Sequence, residues 1–322
     1  MRTLLIDTDT ASDDAVALVM ALRSPEVRVA AITVVAGNVP VELGTRNALY
    51  AVELCGAEVP VHAGAGRPLR RPLETADWFH GADGLGDHGY VPRRRRAEAG
   101  HAVDAIIATA LANPGLEIVT LGPLTNLALA LEREPRIADC ISRCVVMAGA
   151  PCCEGNVTPA AEFNAWVDPE AARSVFHAEL PIEMVGWQLS RGPAVLGPGD
   201  IADILACGTD TAAFAIRCNS TAARAYEAQT GEVGIALPDP IAMAILLRPQ
   251  LCTEASACAI EIETASALTR GMTVVDRLGV AGDARNRAAW SRALARRRPT
   301  RVCWALDVPG WKALLKTALA VA

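Results

Sequence analysis

Lysine is nearly missing from this chain: Lys312 and Lys316, both in the last expected helix, are the only two in 322 residues. That removes a common phosphate partner from the rest of the molecule. No C-x-x-C pair occurs, so the usual zinc spacing is absent. No apolar run reaches the roughly 18–20 residues of a membrane span. Met1-Arg2-Thr3 passes straight into a short apolar run and then acid, which is not a signal-peptide layout. Positive charge is not in excess either: the net charge is −6, which argues against nucleic acid as a partner. The arginine runs 93–96 and 296–298 read as solvated loops. These absences lead us to expect a cytoplasmic protein with no membrane or nucleic-acid partner. Its ten cysteines are expected to be mostly reduced, small core residues.

What is there is apolar. Hydrophobic residues make up 52 % and the mean hydropathy is +0.25, so a substantial core is expected. Linkers rich in Gly, Ser or Pro and internal repeats are absent, and 1–322 reads as a single catalytic domain. Short β-branched runs at 3–7, 29–36, 117–121, 144–148 and 182–187 alternate with helical patterns near 14–23, 41–55, 101–112, 124–132 and 168–178. Further strands are expected at 259–264, 272–275 and 301–305, with a final helix near 310–319. This pattern predicts an α/β fold: an open, mainly parallel, doubly wound (Rossmann-like) sheet with helices on both faces. Two excursions interrupt it, 64–100 over the surface and a small helical one at 188–232.

In such sheets ligands bind at the carboxyl ends of the strands. The residues expected there are polar. After the first strand come Asp7, Asp9, Asp13 and Asp14; later strand ends carry Gly37-Asn38, Gly122-Pro-Leu-Thr-Asn126 and Gly155-Asn156. Ser12 suits an N-cap, with Asp13 and Asp14 in the first helical turn. One helix end cannot offset four charges, whereas a hard cation with oxygen ligands can. Asn156, Glu162 and Asn164 offer groups that bind sugar hydroxyls. Asp239 is either a fifth acid for the ion or an N-cap with Pro240 in the first turn.

In order, DTDTASDD (7–14), GN (37–38), GPLTN (122–126), GNVTPAAEFN (155–164) and the DP at 239–240 resemble the nucleoside hydrolases, the calcium-dependent inosine-uridine-type N-ribohydrolases. The resemblance spans most of the chain. It implies that Asp9 is both a calcium ligand and the base for water. It implies that Asp14, Asp239 and the backbone carbonyl of Leu121 complete the Ca2+ ligands. Asp13, Asn38, Asn156, Glu162 and Asn164 match positions that grip the ribose, Met147 matches a methionine under the sugar, and Asp7 would orient the ligands. A nucleoside-like small molecule is the implied partner, and a homodimer or homotetramer the implied assembly.

The sequence departs from the family pattern in two places. Thr10-Ala11 stands where many members have Pro-Gly. Pro238 stands where many have the histidine that protonates the departing base. Candidates to face that base are His80, Trp187 and Tyr226, with Trp78 as a further stacking surface. Weak turnover of inosine and uridine is the expectation. Two other readings compete: a non-catalytic nucleoside or ribose binder on the same scaffold, and a phosphatase of the haloacid dehalogenase class, whose DxDxT pattern LLIDTDT resembles.

Overall fold

The computed structural model describes residues 1–321. Its frame is a sheet of nine strands among the described residues: β1 (Arg2–Thr8), β2 (Val27–Val34), β3 (Val61–Ala63), β4 (Leu116–Thr120), β5 (Ile141–Met147), β6 (Ile182–Val185), β7 (Cys252–Ile262), β8 (Thr273–Asp276) and β9 (Thr300–Leu306). They lie in the order β3-β2-β1-β4-β5-β6-β9-β7-β8. All pairs from β3 across to β9 are parallel; β7 runs antiparallel to β9, and β8 antiparallel to β7.

Alternation along each strand feeds two cores. Leu4 and Ile6 of β1, Val119 of β4 and Val145 of β5 pack on the face covered by helices Ser12–Leu22, Val41–Leu54, Pro238–Leu247 and Val308–Leu319. Leu5, Ile118, Cys144 and Val146 point the other way, toward helices Ala102–Ala112, Thr125–Arg133 and Pro169–His177. With both faces covered, the central strands bury apolar residues on both sides, which is why stretches such as 4–6 and 144–147 read as apolar runs and not as alternation.

Strand order reverses between β1 and β4, which sit side by side while their connections leave in opposite directions. That switch point opens a crevice at the carboxyl ends of both strands. The two excursions lean over it. The 64–100 segment carries the short helix Asp77–His80, which packs against helix Ser220–Thr230 of the second excursion. None of the helices of the described residues is long and apolar enough to cross a membrane.

Several boundaries differ from expectation. β3 has three residues and too little alternation to be read from sequence. β7 begins at Cys252, seven residues before the expected start at 259, because its first half is small, polar and largely open to solvent, with no apolar alternation to mark it. β6 stops at Val185, so Trp187 opens a 3-10 turn and does not end a strand. Ser12 is not the N-cap: Ala11 holds that position, and Ser12 is the first helical residue. Nor is Asp239 a cap, since its helix starts at Pro238.

Candidate active site

The chain leaves β1 at Thr8 and enters helix Ser12–Leu22 after three residues, which carries Asp9, Asp13 and Asp14 to the switch point. Helix Pro238–Leu247 packs alongside and brings Asp239 to the same place in its own first turn. All four acids are buried. Carboxylate oxygens of Asp13, Asp14 and Asp239 lie within 4.8 Å of one another. Asp9 adjoins Asp14. Asp13, allotted by the resemblance to the sugar, therefore lies in the same oxygen cluster as Asp14 and Asp239.

Neighbours fix these groups in part only. Asp14 Oδ1 accepts from Thr8 Oγ1 at 2.5 Å, and its Oδ2 accepts from the Ala11 N–H at 3.0 Å and from Asn38 Nδ2 at 3.3 Å. Asp9 Oδ2 accepts the Asn38 N–H at 2.6 Å. Two glycines make room for that carboxylate. A Cβ at Gly37 would sit 2.1 Å from Asp9 Oδ2, and one at Gly122 would sit 2.7 Å from Oδ1. Asp9 Oδ1 and Asp13 Oδ1 are buried and have no hydrogen-bond partner.

Removal from water pushes all these carboxyls up, and repulsion from neighbouring acids adds to it at Asp9, Asp13 and Asp239. Asp13 rises to about 8 by burial and then by the charge of Asp14. Burial raises Asp14, and it lifts Asp9 and Asp239 well above the ordinary carboxylate range. Among the described residues no lysine or arginine ion-pairs with any of the four. The donor set is therefore all hard oxygen, with unmatched negative charge and two oxygens free of partners. A divalent cation that takes carboxylate and carbonyl oxygens fits it.

Asp7 has a different task. Its Oδ1 accepts from Thr33 Oγ1 at 2.6 Å and Asn126 Nδ2 at 2.9 Å, and burial raises it to about 7. Asn126, the last residue of GPLTN, also reaches the Val34 carbonyl and the Ala65 N–H. Asp7 thus ties β1 to β2 and to helix Thr125–Arg133. It makes no hydrogen bond to the other acids, so any orienting effect passes through the backbone.

A cleft opens above the acids. Asp13, Asn38, Leu121 and Asp239 line it on the acid side, and Met147, Asn156, Glu162 and Asn164 line it from the ends of β5 and the following loop. Asn164 Nδ2 donates to the Leu121 carbonyl at 2.7 Å and to the Met147 carbonyl at 3.1 Å, which binds helix Phe163–Val167 to two strand ends. Glu162 caps that helix: its carboxylate accepts from the N–H groups of Asn164, Ala165 and Gly149. Asn156 Oδ1 accepts the Phe163 N–H at 2.9 Å.

The three residues expected near the departing group separate. His80 and Trp187 line the cleft; Tyr226 does not. Tyr226 lies buried against Trp187, ring centroids 6.4 Å apart, with its hydroxyl bonded to Glu232. Because Tyr226 lies behind the cleft wall, the expectation that it faces the substrate is corrected; burial and that acid also push the phenol up to about 12. His80 Nδ1 is 2.8 Å from Ser12 Oγ, and burial lowers the ring to about 3, which keeps it neutral at pH 7. Trp78 lines the cleft while remaining more than half exposed. Pro238 also lines it, at the position where a proton donor was looked for. Phe79, Asn219 and Gln229 were missed: they sit on the excursions, where no periodicity marks a residue as facing inward.

The family model for inosine-uridine preferring nucleoside hydrolase matches residues 4–313. An uncharacterised protein of Schizosaccharomyces pombe is 41 % identical over 288 residues, 85 % of this chain and 88 % of the relative. The non-specific ribonucleoside hydrolase RihC of Salmonella agona is 37 % identical over 310 residues, 96 % of this chain and 94 % of that protein. A plant nucleoside hydrolase of known structure superposes with a TM-score of 0.92 at 31 % identity, covering 100 % of this chain and 99 % of its own. These matches set aside the phosphatase and the non-catalytic binder. The chain belongs to the inosine-uridine preferring nucleoside hydrolases and is a ribonucleoside N-hydrolase.

Proposed function

We propose that this cleft hydrolyses ribonucleosides with a calcium ion held by the carboxylates of Asp9, Asp14 and Asp239 and the carbonyl of Leu121. The carrying observation is the uncompensated acid cluster, with Asp9 Oδ1 buried and unpaired. When bound, such an ion would grip a ribose diol and make a water more acidic.

The chain's own residues do the rest. The Asn38 N–H fixes one oxygen of Asp9, and the other is free to accept a proton from the attacking water. Asp13, Asn38, Asn156, Glu162 and Asn164 bind the ribose hydroxyls, with Met147 beneath the ring. As the glycosidic bond breaks, positive charge builds on the sugar, and surrounding carboxylates and amide oxygens stabilise it. Pro238 gives the departing base no proton. Neutral His80 offers a hydrogen bond and Trp187 an aromatic surface. Bases that depart poorly without an acid, including those of inosine and uridine, are therefore turned over slowly.

The whole chain, 1–322, acts as one catalytic unit. The family resemblance supports a cytoplasmic homodimer or homotetramer, which light scattering tests. Ribose release from a nucleoside panel, with calcium or with a chelator, tests the chemistry. Asp9→Asn is expected to lower kcat by about 10²–10⁴-fold. Full activity in that variant, or in chelator, would overturn the assignment.

A further inference from the structure

A second buried group of ligating atoms lies where β6, β9 and β7 adjoin, and hydrolysis makes no use of it. Sγ of Cys252, Sγ of Cys303 and a carboxylate oxygen of Glu183 lie within 4.8 Å of one another, all three residues buried. Glu183 on β6 pairs with Arg301 on β9, and Cys303 follows two residues later. Cys252 opens β7 opposite Leu306, while Cys303 faces Ala255. Irregularities on both sides of Glu254 bring the two thiols together diagonally across the ladder.

Cys252 and Cys303 are offset by three ladder positions on β7 and β9, so the sulfurs approach without the residues standing opposite one another; a disulfide needs Cα atoms roughly 4.4–6.8 Å apart. Two sulfurs on one ion need no such approach, because metal–thiolate bonds near the roughly 2.3 Å of zinc let the sulfurs stand up to about 4.6 Å apart. The geometry therefore suits an ion between the thiolates better than a bond between the sulfurs.

Charge selects the ion. Arg143 donates to Glu183 Oε2, and Arg301 donates to Oε1. The carboxylate is thus already matched, with one positive charge to spare. Two thiolates and one monovalent ion carry a single negative charge, so the group closes at zero. A divalent ion leaves it positive. Soft thiolates also prefer a soft ion.

We propose that Cys252 and Cys303 form a site for a soft monovalent metal ion of the copper(I) or silver(I) class, bridged between their two thiolates. Binding replaces two S–H protons with two metal–sulfur bonds. Both protons leave to solvent, and no electron is transferred. In the unligated fold the Cys303 thiol donates to Glu183 Oε1 at 3.4 Å and the Cys252 thiol donates to the Glu254 carbonyl at 3.3 Å, and these are the two S–H groups that binding replaces.

The test is transfer of copper(I) from a colorimetric chelator to the full-length protein under argon. The wild type is expected to take one equivalent with a rise in Tm, since an ion that binds only the folded chain stabilises it. Cys252→Ser/Cys303→Ser is expected to lose that equivalent and the Tm response while still hydrolysing nucleosides, which shows that it folds. Cys152→Ser/Cys153→Ser is expected to keep both. Should the double serine variant fail to fold, Cys252→Ala alone is expected to lose the equivalent. Uptake unchanged on loss of Cys252, or no uptake by the wild type, overturns the proposal. So does a Cys252–Cys303 disulfide formed in good yield with peroxide.

Discussion

Glu183 and Asp14 are both carboxylates taken out of water, and the molecule treats them in opposite ways. Arg143 and Arg301 hold Glu183 on both oxygens, so its charge is matched inside the fold. Asp14 has Asp9, Asp13 and Asp239 for neighbours and receives hydrogen bonds only from neutral groups. Where the chain needs a buried acid for structure, it supplies the counter-charge itself. At the strand-end crevice it leaves several acids unmatched, which is the basis for the cation proposed above.

Breaking the unmatched cluster should give the largest effect. Asp14→Asn is expected to abolish the rise in Tm on adding calcium and to lower kcat/KM by more than the roughly 10–100-fold that follows loss of a supporting residue. Scanning calorimetry and ribose release check both. On the matched side, Arg143→Met leaves Glu183 with Arg301 alone and should cost about 3 kcal/mol, at the low end for opening a buried pair; urea midpoints measure it, with catalysis per folded molecule unchanged.

The pH response sharpens the contrast. Asp7 is raised to about 7 and Asp13 to about 8, above the roughly 4 of an unfolded chain. Between those values the folded protein holds protons that the unfolded chain has released. Stability of the calcium-free protein is therefore full below about pH 4 for these groups and falls as pH rises toward 8. Calcium should flatten the slope. A calcium-free urea midpoint that climbs with pH over this range would contradict the account.

Two smaller effects concern the aromatic pair. Trp187→Ala should lower kcat/KM for purine nucleosides by about 10-fold, through lost ring contact. Tyr226→Phe should cost only about 1 kcal/mol, the hydrogen bond to Glu232, with little change in kcat.

Much of this was legible in the sequence because it depends on period and order. Apolar runs separated by helical patterns gave the parallel sheet, and acids placed after the first strand gave the rim. Asp239 could be joined to them only through the motif order, since no local rule links residues at opposite ends of a chain. Tertiary packing decided the rest. Tyr226 and Trp187 are equally aromatic in the sequence, yet one lines the cleft and the other backs it. Ser12 has the chemistry of a cap but spends its hydroxyl on His80. The cysteines were read as small core residues, which Cys144 is. Cys252 and Cys303 meet only because two strand irregularities bring them into line, and composition carries no trace of that.

Asp239 reaches the crevice on a helix that is made late in synthesis and has to dock against the first helix of the chain. On the proposed function, a nascent polypeptide presents three aspartates without the fourth, and it is expected to stay catalytically silent until that docking is done. Helix Pro238–Leu247 is buried along nearly its whole length, so it cannot loosen without opening the core it shares with the sheet.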